Sequence, residues 1–133
     1  MGGYAPGSAG SGGGGGGPLS GGQSISEFYE ITNIPPNVDT DIFTYTVPVN
    51  KTLVLIRVDV TGNNIADYRL YFNNVMQKRS FVWFTDGLNG KLDFTVPTLG
   101  GLWLIHGTVI RLEVNHYRPH NGLFSSTLHG ILL

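Results

Sequence analysis

The chain has 133 residues, eight basic and nine acidic side chains, a formal net charge of −1, and no cysteine. That length suits one domain, and the missing cysteine excludes disulfide frameworks and Cys-ligated zinc. Only 13% of residues are charged, against roughly 25% in ordinary soluble domains.

The only adjacent basic pair is Lys78-Arg79, so binding driven by nucleic-acid phosphates, which needs clustered Lys and Arg, is not expected. Low charge is also a property of surfaces covered by neighbouring proteins, which are depleted in Lys and Glu; a weakly charged monomer is the plainer alternative. No stretch approaches the roughly 20 apolar residues of a membrane helix. The first residues have neither the basic nor the apolar part of a secretory signal.

Residues 1–24 form a glycine-rich arm. Twelve of the 20 glycines fall in the first 22 residues, six of them consecutive from Gly12 to Gly17, and no charged side chain precedes Glu27. Such a segment cannot bury enough surface to offset its ordering entropy alone. It is either a floppy tail or an arm ordered by a partner, with Tyr4, Pro6, Pro18 and Leu19 as its few anchors. A coil of this length spans roughly 25 Å on average, enough to reach a neighbouring subunit.

Residues 25–133 read as the folded domain. Ile25–Asn33 is the first expected strand, ended by Ile34-Pro35-Pro36-Asn37, where neither proline can donate to a ladder. Asp41–Val47 is the second, turned by Pro48–Lys51 into the segment Thr52–Phe72. In that segment Val54, Ile56, Val58 and Val60 are expected on one face and Arg57 and Asp59 on the other. After a loop at Thr61-Gly62-Asn63-Asn64, where positive φ is tolerated, Tyr68, Leu70 and Phe72 share the next dry face. Asn73-Asn74 is a plausible hairpin turn. Val75–Trp83 lacks clean alternation, as a bulged or edge strand does. Lys91–Val96 and the short Leu102–Ile105 follow. Thr108–Tyr117 points Ile110, Leu112 and Val114 inward and Arg111, Glu113 and Asn115 outward. Leu123–Leu132 sets Phe124, Ser126, Leu128, Gly130 and Leu132 on one face; Thr108–Leu132 reads as a second clean strand pair. No helix has credible caps and a period of 3.6. Eight or nine strands separated by turn signals predict an all-β antiparallel sandwich, closer to a jelly roll than to a seven-stranded immunoglobulin domain.

Candidates for chemistry are few. His116 and His120 are four apart, but Pro119 intervenes and no helix carries them, so His116 reads as a hydrogen-bonded sheet-end histidine rather than a ligand. His129 falls on the surface parity of the last strand. Asp39-Thr40-Asp41 and the Asp86 loop lack the ligand spacing of a calcium site. No serine sits in a nucleophile elbow, and Gly12–Gly17 lacks the lysine and helix of a phosphate loop. No enzyme and no cofactor are expected. Binding falls to exposed aromatics: Phe81, Trp83 and Phe84 in the irregular strand, and Trp103 beside Gly100-Gly101. These suit protein contact or a sugar ring, and the alternative for Phe81–Phe84 is burial on both faces.

The run VPVNKTLVLIRVDVTGNNIADYRLYFNNV, followed by IRLEVNHYRPHNGLFSSTLHGILL, resembles small β-sandwich proteins of tailed-bacteriophage virions. The matching pieces cover Val47–Val75 and Ile110–Leu133. The resemblance implies a non-enzymatic structural role in the virion. It points to a capsid cement or decoration protein that bridges major capsid protein subunits as a homo-oligomer, a trimer for instance. It supplies no binding residues, and the glycine arm departs from its pattern. Neck, tail or baseplate parts are the near alternative. A carbohydrate-binding module using Trp83 or Trp103 is the distant one.

Overall fold

The computed structural model describes residues 22–82, 89–94 and 100–133. Among these residues there are nine strands and no helix: β1 Gln23–Ile34, β2 Thr40–Thr46, β3 Leu53–Gly62, β4 Ala66–Phe72, β5 Val75–Val82, β6 Asn89–Asp93, β7 Leu102–Leu104, β8 Val109–His116 and β9 Gly122–Leu132. They form two antiparallel sheets, ordered β1-β9-β3-β6, with β7 also on β3, and β2-β8-β4-β5. β6 pairs with Arg57–Thr61 and β7 with Leu53–Leu55, while β9 runs along the whole opposite edge of β3. β6 and β7 therefore share one strand's position, and the Phe94 N–H donating to the Ile56 carbonyl at 2.8 Å continues the ladder past the end of β6. Counted that way, eight positions divide four and four between the sheets in the strand order of a jelly roll.

Burial follows the alternation along most strands. On β8 every second residue is buried, so Ile110, Leu112 and Val114 face Leu55, Val58, Phe124 and Leu128 across the sandwich. Tyr29 of β1 stacks on Phe43 of β2 at 4.6 Å between ring centres, joining the sheets at one side. At the other side Lys78 of β5 donates to the Asp93 carbonyl and lies over the Phe94 ring. The tight turn at Asn73-Asn74 forms as expected, with both residues at positive φ (49° and 65°), the conformation a two-residue hairpin requires.

Three expectations are corrected. First, Thr52–Phe72 and Thr108–Leu132 are not paired strands: β3 and β4 lie in opposite sheets, as do β8 and β9. Alternation reports which face is dry, but a dry face is equally satisfied by a neighbour in the same sheet or by one across the core. Second, the faces of β3 are not continuous. Leu53 and Leu55 enter the core and Ile56 is only partly buried, because the register shifts between Leu55 and Arg57. This bulge returns Val58 and Val60 to the core while Arg57 and Asp59 stay wet. Val54 is buried on the outer side, where a Cβ on Gly101 would meet its Cγ1 at 3.0 Å and the Leu55 carbonyl at 2.5 Å. Third, the Asn63-Asn64 loop uses no positive φ, and Asn64 is buried.

β5 is both bulged and an edge. Leu70 pairs with Lys78 but Tyr71 with Met76, leaving Gln77 as the extra residue, and among the described residues no strand lies beyond β5 in its sheet. Phe81 is exposed and Val82 buried, so burial on both faces does not hold there.

Candidate functional site

Tyr4, Pro18, Leu19, Trp83 and Phe84 lie outside the described residues. The two remaining sequence candidates do not meet. Phe81, paired with Asp67 on β5, sets its ring 5.9 Å from Tyr117, whereas Trp103 lies in the other sheet, opposite Val54. Both are 39% exposed.

A larger apolar concentration lies at the Trp103 end of the sandwich. The loops at 47–52, 73–74 and 105–108 are tied together there. Val47 N–H donates to the Thr108 carbonyl and Gly107 N–H to the Val47 carbonyl, both at 2.9 Å. Asn73 and Val109 are bonded twice at 2.9 Å, through the Asn73 N–H and the Asn73 Oδ1. Val49 and Ile105, on these loops, are 77% and 70% exposed, and Val75 and Met76, just beyond the hairpin turn, are also exposed. β1 starts at the same end, since Gln23 pairs with Leu132, which pairs with Leu53. Gly22, where the glycine-rich sequence joins the domain, thus lies beside this patch.

The outer face of β2-β8-β4-β5 is charged. Asp67 is fully buried on the nominally wet face, held by Arg79 Nη2 at 2.8 Å and Arg69 Nη2 at 3.0 Å. Arg69 also reaches Glu113 at 3.2 Å, and Arg111 joins Glu113 to Asp41 at 3.1 and 3.0 Å while lying over the Tyr71 ring. Burial opposes the Arg69 charge, but hydrogen bonding and attraction from Asp67 outweigh it and raise its pKa. Asp39 accepts from Asn115 at 2.7 Å and Asp41 from Arg111, so these two carboxylates are occupied as partners of basic and amide groups. No cluster of three or more potential metal ligands occurs among the described residues.

His116 matches its expected role. It is buried, with Nε2 2.6 Å from the Ile34 carbonyl and Nδ1 3.4 Å from Asn64 Nδ2. The carbonyl can only accept, so Nε2 donates to it and Nδ1 accepts from the amide.

The outer face of β1-β9-β3-β6 holds an arrangement that sequence reasoning missed. Ser26 Oγ lies 3.0 Å from His129 Nδ1, and His129 Nε2 lies 2.8 Å from Asp59 Oδ2. Arg57 Nε donates to Asp59 Oδ1 at 3.1 Å. Serine, imidazole and carboxylate in line is the order of a nucleophilic relay. A relay also needs convergent oxyanion donors, but β9 and β3 are interior strands whose amides are taken up by the ladders. The line serves better as a brace that fixes the Asp59 carboxylate. Beside it an open depression of about 540 Å³ runs across the sheet, lined by Phe28, Asp59, Lys91, Ser125 and Thr127 among others. The partners come from strands up to 103 positions apart in sequence, so only the registers of β1 and β3 on β9 bring them together; the surface parity of His129 was the one signal available.

No family model matches the sequence, and no curated protein does. Among solved structures, the insecticidal delta-endotoxin Cry8Ea1 from Bacillus thuringiensis aligns over 86% of this chain and 20% of its own, with a TM-score of 0.37 and 9% identity. Dimeric latent PorU from Porphyromonas gingivalis aligns over 82% of this chain and 13% of its own, with a TM-score of 0.35 and 8% identity. The chain therefore spans a small part of either protein.

Proposed function

We propose that this chain is a non-enzymatic structural subunit of a bacteriophage virion, a cement or decoration protein that binds the major capsid protein and works as a homo-oligomer. The observation that carries this reading is the end of the sandwich where Val49, Ile105, Val75 and Met76 are exposed beside the root of the uncharged arm. Exposed apolar loops at the end where the glycine-rich sequence joins the domain give a contact patch, and a sequence of that length and composition supplies reach from the same place. The virion-like strand pattern supplies the choice of partner. Bound only to the assembled shell, such a subunit stabilises it by mass action, and many copies on one lattice add avidity.

The test is quantitative mass spectrometry of purified virions of the phage encoding the chain, followed by rebinding to particles stripped of it. Hundreds of copies per particle are expected; a few dozen would move the protein to the neck or tail, and absence from the particle would overturn the reading. Val49→Ser with Ile105→Ser removes two aliphatic contacts worth about 1–2 kcal/mol each when buried, so rebinding should weaken roughly tenfold or more. Deleting residues 1–21 should weaken it further while leaving β1 intact.

A further inference from the structure

We propose that the depression on the outer face of β1-β9-β3-β6 is a binding site for a neutral saccharide, seated between Phe28 and Lys91 with Asp59 as its fixed acceptor. The register sets Phe28, Thr127, Asp59 and Lys91 in one rung across the four strands, and Glu30, Ser125 and Thr61 in the next. Ser125, Thr127 and Thr61 are short and make a low floor, while the longer Phe28 and Lys91 stand at opposite edges; this contrast creates the depression. Three interstrand steps separate the walls by roughly 14 Å, room for one or two pyranose rings.

The chemistry selects the ligand. Phe28 is 48% exposed and offers a ring face on which the C–H face of a sugar can lie. The floor offers hydroxyls, which both donate and accept. Asp59 is held by Arg57 and His129, so its remaining lone pairs are aimed before a ligand arrives and little ordering cost remains. An extended peptide would look for main-chain donors, and the amides of β9 and β3 are taken up by the ladders. An anion would look for excess positive charge, but Arg57 and Lys91 are matched by Asp59 and Glu30 on the same face. A polyhydroxylated, uncharged molecule fits what remains. The site is distinct from Trp103, which lies at the other end of β3 opposite Val54.

The experiment is a ¹⁵N-resolved NMR titration of the intact chain with lactose, cellobiose, maltose and N,N′-diacetylchitobiose, each to about 20 mM, a range that captures millimolar binding. At least one disaccharide should shift the amides of Phe28, Asp59, Lys91 and Thr127 together. Phe28→Ala and Thr127→Val should each raise its Kd about fivefold without changing the melting temperature. No response to any of the four overturns the proposal, as does a response that neither substitution alters, or a response only to tripolyphosphate or to a peptide. Phe28→Ala should rebind stripped particles like the parent, so failure here and failure of the virion reading are separately visible.

Discussion

Replacing Gly122 with alanine should destabilise the domain through one side chain, Phe124. This ring is fully buried, edge-on to Tyr68 at 6.2 Å and 78°, and 5.3 Å from His116. Two glycines press on it from different strands. A Cβ on Gly122 would sit 2.5 Å from Phe124 Cε2 and 2.8 Å from Asn64 Nδ2, and one on Gly62 would sit 2.4 Å from Cδ1 and 2.9 Å from the Tyr68 hydroxyl. Ordinary contact begins at 3.4 Å, so the ring must retreat by about 1 Å, yet Gly62 closes the way on the other edge. Overpacking of a closed core costs about 2–3 kcal/mol, a fall in Tm of roughly 8–12 °C for a domain of this size. Thermal and urea unfolding followed by circular dichroism measure it. Phe124→Leu alone should cost about 1–2 kcal/mol as a cavity, and adding Gly122→Ala to it should cost little more. A Gly122→Ala protein melting within about 2 °C of the parent, or full additivity in the double variant, would refute the clamp.

Tyr68→Phe should raise stability by up to about 1 kcal/mol in urea titrations, because the Tyr68 hydroxyl is buried without a protein hydrogen-bond partner and such a group carries its desolvation cost. Asp67→Asn should cost about 2 kcal/mol, less than a fully buried pair because Arg69 and Arg79 both reach water; a double-mutant cycle with Arg79→Met isolates the pairwise part. Burial, then the charge of Glu27, pushes Tyr29 and Tyr45 up to about 12 from 10.0. The folded state then holds protons that the unfolded chain releases, so stability should fall as pH rises from 10 through 12. Tyr45→Phe should flatten that fall in urea midpoints taken between pH 9 and 11.5.

Where one residue answers to one local rule, the sequence was easy to read. The Asn73-Asn74 turn, the inward run Ile110–Leu112–Val114 and the capped position of His116 each follow from parity or turn chemistry. The partners of each strand were harder, because Thr52–Phe72 alternates equally well as a hairpin or as two strands facing across a core. The Ile56 bulge hides inside the apolar run Leu53–Ile56, where any register looks dry. Asp67 was invisible for another reason: it stands on the outward parity and is buried by the arginines folded over it rather than by the core. The depression depends on short side chains from two neighbouring strands meeting in register, and a single strand gives no sign of that.

The positions of the last two strands bear on how the chain reaches its fold. β9 lies between β1 and β3, and β8 between β2 and β4. Until residues 109–132 have left the ribosome, β1 to β4 have no neighbour on those edges, and Gln23 must wait for Leu132. Pairing on those edges therefore joins residues far apart in sequence, the regime of slow folding. Loss of residues 124–133 would remove nearly all of β9 and leave the facing edges of β1 and β3 open to aggregation.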